Sequence, residues 1–295
     1  MIRRFFAARL FRAGALLVGG SVIGQGILIV VMPLLTRLYT PEDFGALAVF
    51  TSVLGIVCVV ASLRLELAIP LPADEKDAAS VMALSAIFVC VTTPAVALLT
   101  WFYAEPLMVL AGARGLQPYV WLFPLGFAAI GLYEVLNYWA LRQQAFGAIA
   151  RTKLSQGFGS AAVMVGFGIV ASGGAAGLLL GHVLGKAAGA ASLAFGVWRN
   201  DRQLLRRIDT AALGAMLRRY SRFPLISSWS SLINSAGGLL PGILIATLWG
   251  VEVAGWYALV QLVLAGPAAL LTLSLIHISE PTRLRRISYA VFCLK

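Results

Sequence analysis

Charge is what this chain has least of. Only 12% of its 295 residues are charged, 60% are apolar, and the mean hydropathy is +0.89. A soluble domain carries about 25% charge and roughly 45–50% apolar residues, so a water-soluble globule is excluded. Histidine and cysteine are scarce as well, at two and three residues. Cys58, Cys90 and Cys293 show neither metal nor redox spacing, and the first two sit inside apolar blocks as small packing residues. No disulfide framework, metal site or cofactor is expected. Nor is there a polar stretch long enough to hold a sugar nucleotide. The run Asp74-Glu75-Lys76-Asp77 therefore reads as a polar turn, not as the metal motif of a glycosyltransferase. Acidic residues number 12 against 23 basic ones, a formal net charge of +11. The cations fall mainly in the gaps between apolar blocks, which argues for topology signals and against nucleic acid as a partner.

What the chain has in abundance is membrane-spanning sequence. A spanning helix needs ~20 mostly apolar residues, and eight blocks qualify: 13–35, 44–62, 79–101, 118–140, 154–172, 175–198, 224–249 and 253–272. The fold class is all-α, a polytopic transmembrane helix bundle. Ser172-Gly173-Gly174 is the turn between the fifth and sixth spans. The start, with its Arg3-Arg4 pair, resembles a signal peptide, yet more membrane follows it. A retained first helix preceded by a short amphipathic segment is the expectation.

Lys and Arg in short loops set orientation. One set of connections holds Arg3, Arg4, Arg9, Arg12, Arg64, Lys76, Arg142, Arg151, Lys153 and the run of arginines from Arg199 to Arg222. The opposite set holds only Arg37 and Arg114. The N-terminus and the 199–222 linker are thus expected in the cytoplasm, with the linker resting on an anionic leaflet. At a constant offset of 210 residues, RLYTPEDFGALAVFTSVLG from Arg37 aligns with TLWGVEVAGWYALVQLVLA from Thr247. Tyr39 meets Trp249, Glu42 meets Glu252 and Gly45 meets Gly255. The pattern suits two parallel six-helix repeats. Expected domains are an N-lobe over 1–198, the basic linker 199–222, and the first two helices of a C-lobe over 223–272.

Residues 273–295 break the pattern. Reverse-translated, LSLIHISEPTR and ISYAVFCLK resemble one reading frame of a transposase-type sequencing-library adaptor, with Leu284, Arg285 and Arg286 where a sample index would fall. This tail is expected to be non-native.

Three stretches carry a wider resemblance: PLLTRLYTPEDFGALAVF, SLRLELAIPLPADEKDA and RRYSRFPLISSWSSLINSAGGLLP. They resemble the polysaccharide (O-antigen-type) flippases of the multidrug/oligosaccharidyl-lipid/polysaccharide exporter superfamily. The resemblance implies twelve or more helices in two lobes around a cavity opened alternately to each side, of which about eight are present here. It implies translocation of polyprenyl-diphosphate-linked oligosaccharide, no covalent chemistry, and a bacterial inner membrane. Expected partners are the lipid-linked oligosaccharide, the bilayer, and glycan polymerase or assembly proteins. The alternatives are a multidrug cation exporter and a membrane-embedded glycan polymerase or transferase. With two helices of the second lobe alone, no transport is expected from the chain as written.

Charges inside a bilayer cost roughly 2.5–3.5 kcal/mol on insertion scales, so they are the residues to inspect. Lys186 lies near the middle of the sixth span, with His182 one turn away on the same face. The pair either meets an anionic headgroup, or Lys186 is neutral or paired with Glu134. Glu134 shares a face of the fourth span with Asn137, either as an ion-coupling acid or as the structural partner of Lys186. Arg64 either meets phosphate or snorkels at the interface, and its i, i+2 spacing from Glu66 on a helix argues against an ion pair between them. Arg37 is either a further headgroup contact or a solvated neighbour of Glu42 and Asp43. Small residues, as in GHVLGKAAGAASLAFG, point to close helix packing.

Overall fold

The computed structural model describes residues 2–170, 174–206 and 208–264, with side chains from Gly19 onward. With no water in hydrocarbon to satisfy a peptide group, long apolar runs close their backbone bonds internally as helices, and the described residues are all-helical. The order is α1 (Ile2–Leu38), α2 (Pro41–Cys58), a 3-10 turn (Leu65–Ala68), α3 (Glu75–Phe102), α4 (Ala104–Leu110), a second 3-10 turn (Arg114–Tyr119), α5 (Leu122–Arg142), α6 (Phe146–Val170), α7 (Ala176–Leu205), α8 (Thr210–Arg219), a π turn (Phe223–Ser227), α9 (Ser228–Trp249) and α10 (Val251–Leu264). A helix occupies each of the eight expected positions. Five segments are long and apolar enough to cross a membrane by length and composition: Gly19–Leu38, Pro41–Cys58, Glu75–Phe102, Ala176–Leu205 and Phe223–Trp249. Among those that fall short, α5 carries Glu134 and Asn137, and α6 carries Lys153 and Gln156. This is a membrane protein whose polar interior groups lie on α5, α6 and α7.

Several boundaries differ from expectation. The second span stops at Cys58 instead of reaching Ser62, and the chain unwinds through Leu63 and Arg64, at φ 53° and 60°. Left-handed conformations at non-glycine residues cost about 1–2 kcal/mol each and survive only where surroundings fix them. Here Thr92 Oγ1 donates to Ala61 O at 2.9 Å, and Ser62 Oγ donates to the buried Glu66. The fifth span begins eight residues earlier, at Phe146 rather than Leu154. The 199–222 linker is largely helical: α7 continues to Leu205, and α8 buries Met216 while Tyr220 closes its C-terminal end. Ser172-Gly173, the end of the eighth span and the whole 273–295 segment lie outside the described residues.

Packing follows the glycines. On α7, Gly181, Gly185 and Gly189 recur every four residues, and a Cβ at each would strike Met164, Ser160 and Gln156 of α6. On the other side of α6, Gly24 of α1 lies against the Lys153 carbonyl and Gly157 against the Gly24 carbonyl, where a Cβ would sit 2.6 Å away in each case. The three helices thus meet at backbone distance, as small residues permit in lipid. Tyr39, between α1 and α2, reaches the same layer by donating to Met164 O at 2.6 Å. Its neighbour Thr40 caps α2: Asp43 N–H donates to Thr40 Oγ1, and Thr40 N–H to the Asp43 carboxylate.

The two aligned segments also touch. A Cβ on Gly45 would overlap the Val251 carbonyl, and a Cβ on Gly255 would overlap the Pro41 carbonyl. Pro41 and Val251 are themselves 210 residues apart. The contact is therefore reciprocal, as across a two-fold axis.

Candidate functional site

A cavity of about 210 Å³ opens between α1, α6 and α7. Lys153, Gln156, Ser160, His182 and Lys186 line it, and α1 adds Ser21 and Gln25. The glycine contacts explain its composition. Where α7 presents Gly181, Gly185 and Gly189 to α6, the side chains of Met164, Ser160 and Gln156 fill the room the glycines leave, and Ser160 and Gln156 reach the cavity from that seam.

Lys153 and Lys186 converge. Their Nζ atoms lie 5.1 and 5.9 Å from the centroid of the Tyr133 ring, on α5. A ring face attracts a cation by about 0.5–2 kcal/mol, which fixes both ammoniums without neutralising either. Among the described residues neither lysine has a carboxylate within ion-pair distance. Two buried polar atoms there have no partner among the described residues, Gln156 Nε2 on the lining and Oη of Tyr133, whose ring carries both lysines; Asn137 Oδ1 and Arg64 Nε are also unpartnered but belong to residues that do not line the cavity. An unsatisfied buried polar atom costs about 1–3 kcal/mol, so an atom of this kind on the lining marks a place built to receive water or a polar ligand. His182 is held edge-on against Phe50, with ring centroids 6.5 Å apart.

The structure places Lys186 and His182 on the cavity lining, whereas Glu134, Asn137 and Arg64 are not among the lining residues. Glu134 is exposed and lies within electrostatic reach of Lys186, Lys153, Arg64 and Glu66. It makes no ion pair with Lys186. One expectation is corrected: Arg64 and Glu66 do pair, Nη1 to Oε1 at 3.3 Å. The i, i+2 objection holds for an α-helix, whereas Arg64 is left-handed and opens a 3-10 turn, so both side chains fall on one side. Arg37 stands apart. It is exposed in the last turn of α1, and Asp43 is engaged in capping α2.

Lys153 and Gln156 are the residues that sequence reasoning missed. Lys153 counts as a loop cation if the fifth span starts at Leu154; with α6 starting at Phe146 it lies two turns inside the helix. The signal available was spacing, since Lys153, Gln156 and Ser160 follow a helical i, i+3, i+7 face. A second, larger cavity of about 440 Å³ among α2, α3, α4, α5 and α9 offers no such groups. Its hydroxyls, on Thr100 and Thr247, already donate to carbonyls of their own helices.

A family model described as polysaccharide biosynthesis protein matches residues 34–285. The chain belongs to that family. The match takes in α2 to α10 and every residue gathered at the cavity from the later helices, and it continues past residue 273 into the segment that resembles adaptor sequence. Comparison with curated proteins and with solved structures gives no match. As a member of a polysaccharide biosynthesis family built of apolar spans, the protein acts in polysaccharide biosynthesis at a membrane.

Proposed function

We propose that the protein translocates polyprenyl-diphosphate-linked oligosaccharide across the bacterial inner membrane for surface polysaccharide or lipopolysaccharide assembly, without forming or breaking a covalent bond. Its N-terminus and Arg142 end then face the cytoplasm. The observation that supports this best is the pair of ammoniums without an ion-pair partner among the described residues, Lys153 and Lys186, beside the unpartnered Gln156 Nε2 in a cavity between α1, α6 and α7. Such a cavity offers a diphosphate the contacts it gives up on leaving water, while the polyprenyl chain stays in lipid. The reciprocal Gly45–Val251 and Gly255–Pro41 contact supports two repeats meeting about a common axis, the build through which alternating access works. In this reading Lys186, Lys153, Arg64 and His182 attract the headgroup, and Glu134 with Asn137 couples to an ion.

A cation exporter of the same superfamily is disfavoured by the net positive cavity. A glycan polymerase or transferase would turn over a glycosyl donor once purified. The test is Lys186→Gln introduced at the chromosomal locus. Lipid-linked oligosaccharide is expected to accumulate on the cytoplasmic leaflet, with export falling at least roughly tenfold, the scale of one buried charged hydrogen-bonding group. Unchanged export removes Lys186 from the site, and donor turnover by the purified protein overturns the flippase reading.

A further inference from the structure

Two like charges share one ring. Tyr133 of α5 meets Lys153 of α6 and Lys186 of α7, whose Nζ atoms stand 5.1 and 5.9 Å from its centroid. Both lysines line the cavity between α1, α6 and α7; Tyr133 does not, and it is only 2% exposed. Its hydroxyl has no hydrogen-bond partner among the described residues, so the ring itself, and not a hydrogen bond, joins it to the lysines. Neither ammonium has a carboxylate within ion-pair distance among the described residues. Two cations brought to one ring repel each other, and the negative face of the ring offsets part of that repulsion without supplying a counter-charge.

Packing leaves the ring little freedom. It belongs to a buried cluster with Ala140 of α5, Ile149 of α6, and Ala190 and Leu193 of α7. The two helices that carry the lysines are in turn set against each other along Gly181, Gly185 and Gly189. A lysine stem loses rotamer freedom when a ligand orders it, which weakens binding, but a stem already resting on a fixed ring has lost part of that freedom beforehand. A ligand that engages both lysines gains from this twice, and one that engages a single lysine gains once. A diphosphate has a phosphoryl group for each ammonium, whereas a monophosphate has one group for two cations.

We propose that Tyr133 is a positioning residue that sets the preference of the cavity for a diphosphate over a monophosphate, by holding Lys153 and Lys186 as a pair, one for each phosphoryl group. This rests on the cavity being the headgroup site of the flippase reading. A prenyl lipid with a single phosphate in the same bilayer then competes poorly for the site.

The experiment uses protein expressed from the locus and reconstituted in nanodiscs, with geranylgeranyl diphosphate and geranylgeranyl phosphate as probes. Wild type is expected to bind the diphosphate at least about tenfold more tightly. Tyr133→Phe keeps the ring and should keep that preference to within about twofold. The same phenylalanine with a fully fluorinated ring, introduced by codon suppression, keeps the shape and reverses the charge of the face. It should bring the two probes to within about threefold of each other, mainly through weaker diphosphate binding. Lys153→Gln and Lys186→Gln should each erase the preference, and in either background fluorination should have little further effect. A ring that merely fills space would not respond to fluorination.

Equal binding of the two probes by wild type overturns the proposal, as does binding of neither. So does a preference that survives fluorination, or a fluorination effect that persists without the lysines. Oligosaccharide export is scored separately in cells. Export together with a preference indifferent to the ring keeps the flippase and removes the role of Tyr133, whereas a ring-dependent preference without export does the reverse.

Discussion

At the Gly45 end of the bundle α2 and α10 meet backbone to backbone, whereas at the Arg142 end α5 is tied to the 69–74 loop, α3 and α7 by long side chains. Gly45 and Gly255 set α2 and α10 against each other's carbonyls, and Gly112, at φ +65°, lies 2.6 Å in Cβ terms from Thr247 Cα. No charge takes part. At the opposite end Arg142 donates to the carbonyls of Ile69, Pro70, Pro72 and Asp74, Gln143 donates to Glu75, Trp139 donates to Asp201 at 2.8 Å, and Arg219 lies 3.9 Å from Asp77. A backbone contact has no rotamers with which to adjust, while a side-chain tie can be undone and remade. The division between the two ends can be broken experimentally from either side.

The largest effect is expected at the backbone contact. Gly45→Ala gains about 1 kcal/mol of helix propensity. It also drives a methyl group into a carbonyl that cannot rotate away, and overpacking of this kind costs about 1–3 kcal/mol or more. Thermal unfolding in detergent should shift down clearly. Gly196→Ala is the control, because a Cβ there meets nothing within 4 Å. It should be near neutral. Equal losses in the two variants would mean that the Gly45 contact is no tighter than ordinary helix packing.

How much of this was readable beforehand follows the physics of each feature. The helices were legible because hydrocarbon leaves an apolar run no other way to satisfy its backbone. The 210-residue offset was legible because the same hairpin recurs with Gly45 and Gly255 in register. The break after Cys58 was not, since neither glycine nor proline announces it; the left-handed Leu63 and Arg64 are imposed by tertiary contacts to Glu66 and Thr92. Lys186, His182 and Glu134 stood out as deep charges, whereas Lys153 was hidden by a misplaced helix start. The Arg64–Glu66 pair was hidden by the assumption of an α-helix where the chain forms a 3-10 turn.

A middle-sized effect is expected at Arg142. Its guanidinium gathers four carbonyls of the 69–74 loop, with the shortest contact, to Pro72 O, at 2.7 Å. Hydrogen bonds to charged groups contribute about 1.5–3 kcal/mol each at good geometry. The other three contacts are 3.3–3.4 Å, so Arg142→Met should cost about 2 kcal/mol in all. The expected readout is faster proteolysis between Leu71 and Asp74, with the unfolding of the membrane helices little changed. A loop that stays protected would show that helix packing, and not Arg142, holds it.

The smallest effect is expected at Arg219. It approaches Asp77 only to 3.9 Å with its side chain 60% exposed, and surface pairs of this kind contribute about 0–1 kcal/mol. What keeps α8 in place is its apolar side, Leu213, Met216 and Leu217, packed on the core, with Tyr220 buried at its end. Arg219→Ala should therefore lower stability by under about 0.5 kcal/mol, and the loss should disappear in high salt, where exposed charges are screened. Thermal unfolding of wild type and variant at low and high salt decides it. A large, salt-sensitive loss would make the ion pair a true fastening of α8 to α3. The Arg142 end would then be held through the linker as well as the loop, and opening it would require both ties to part.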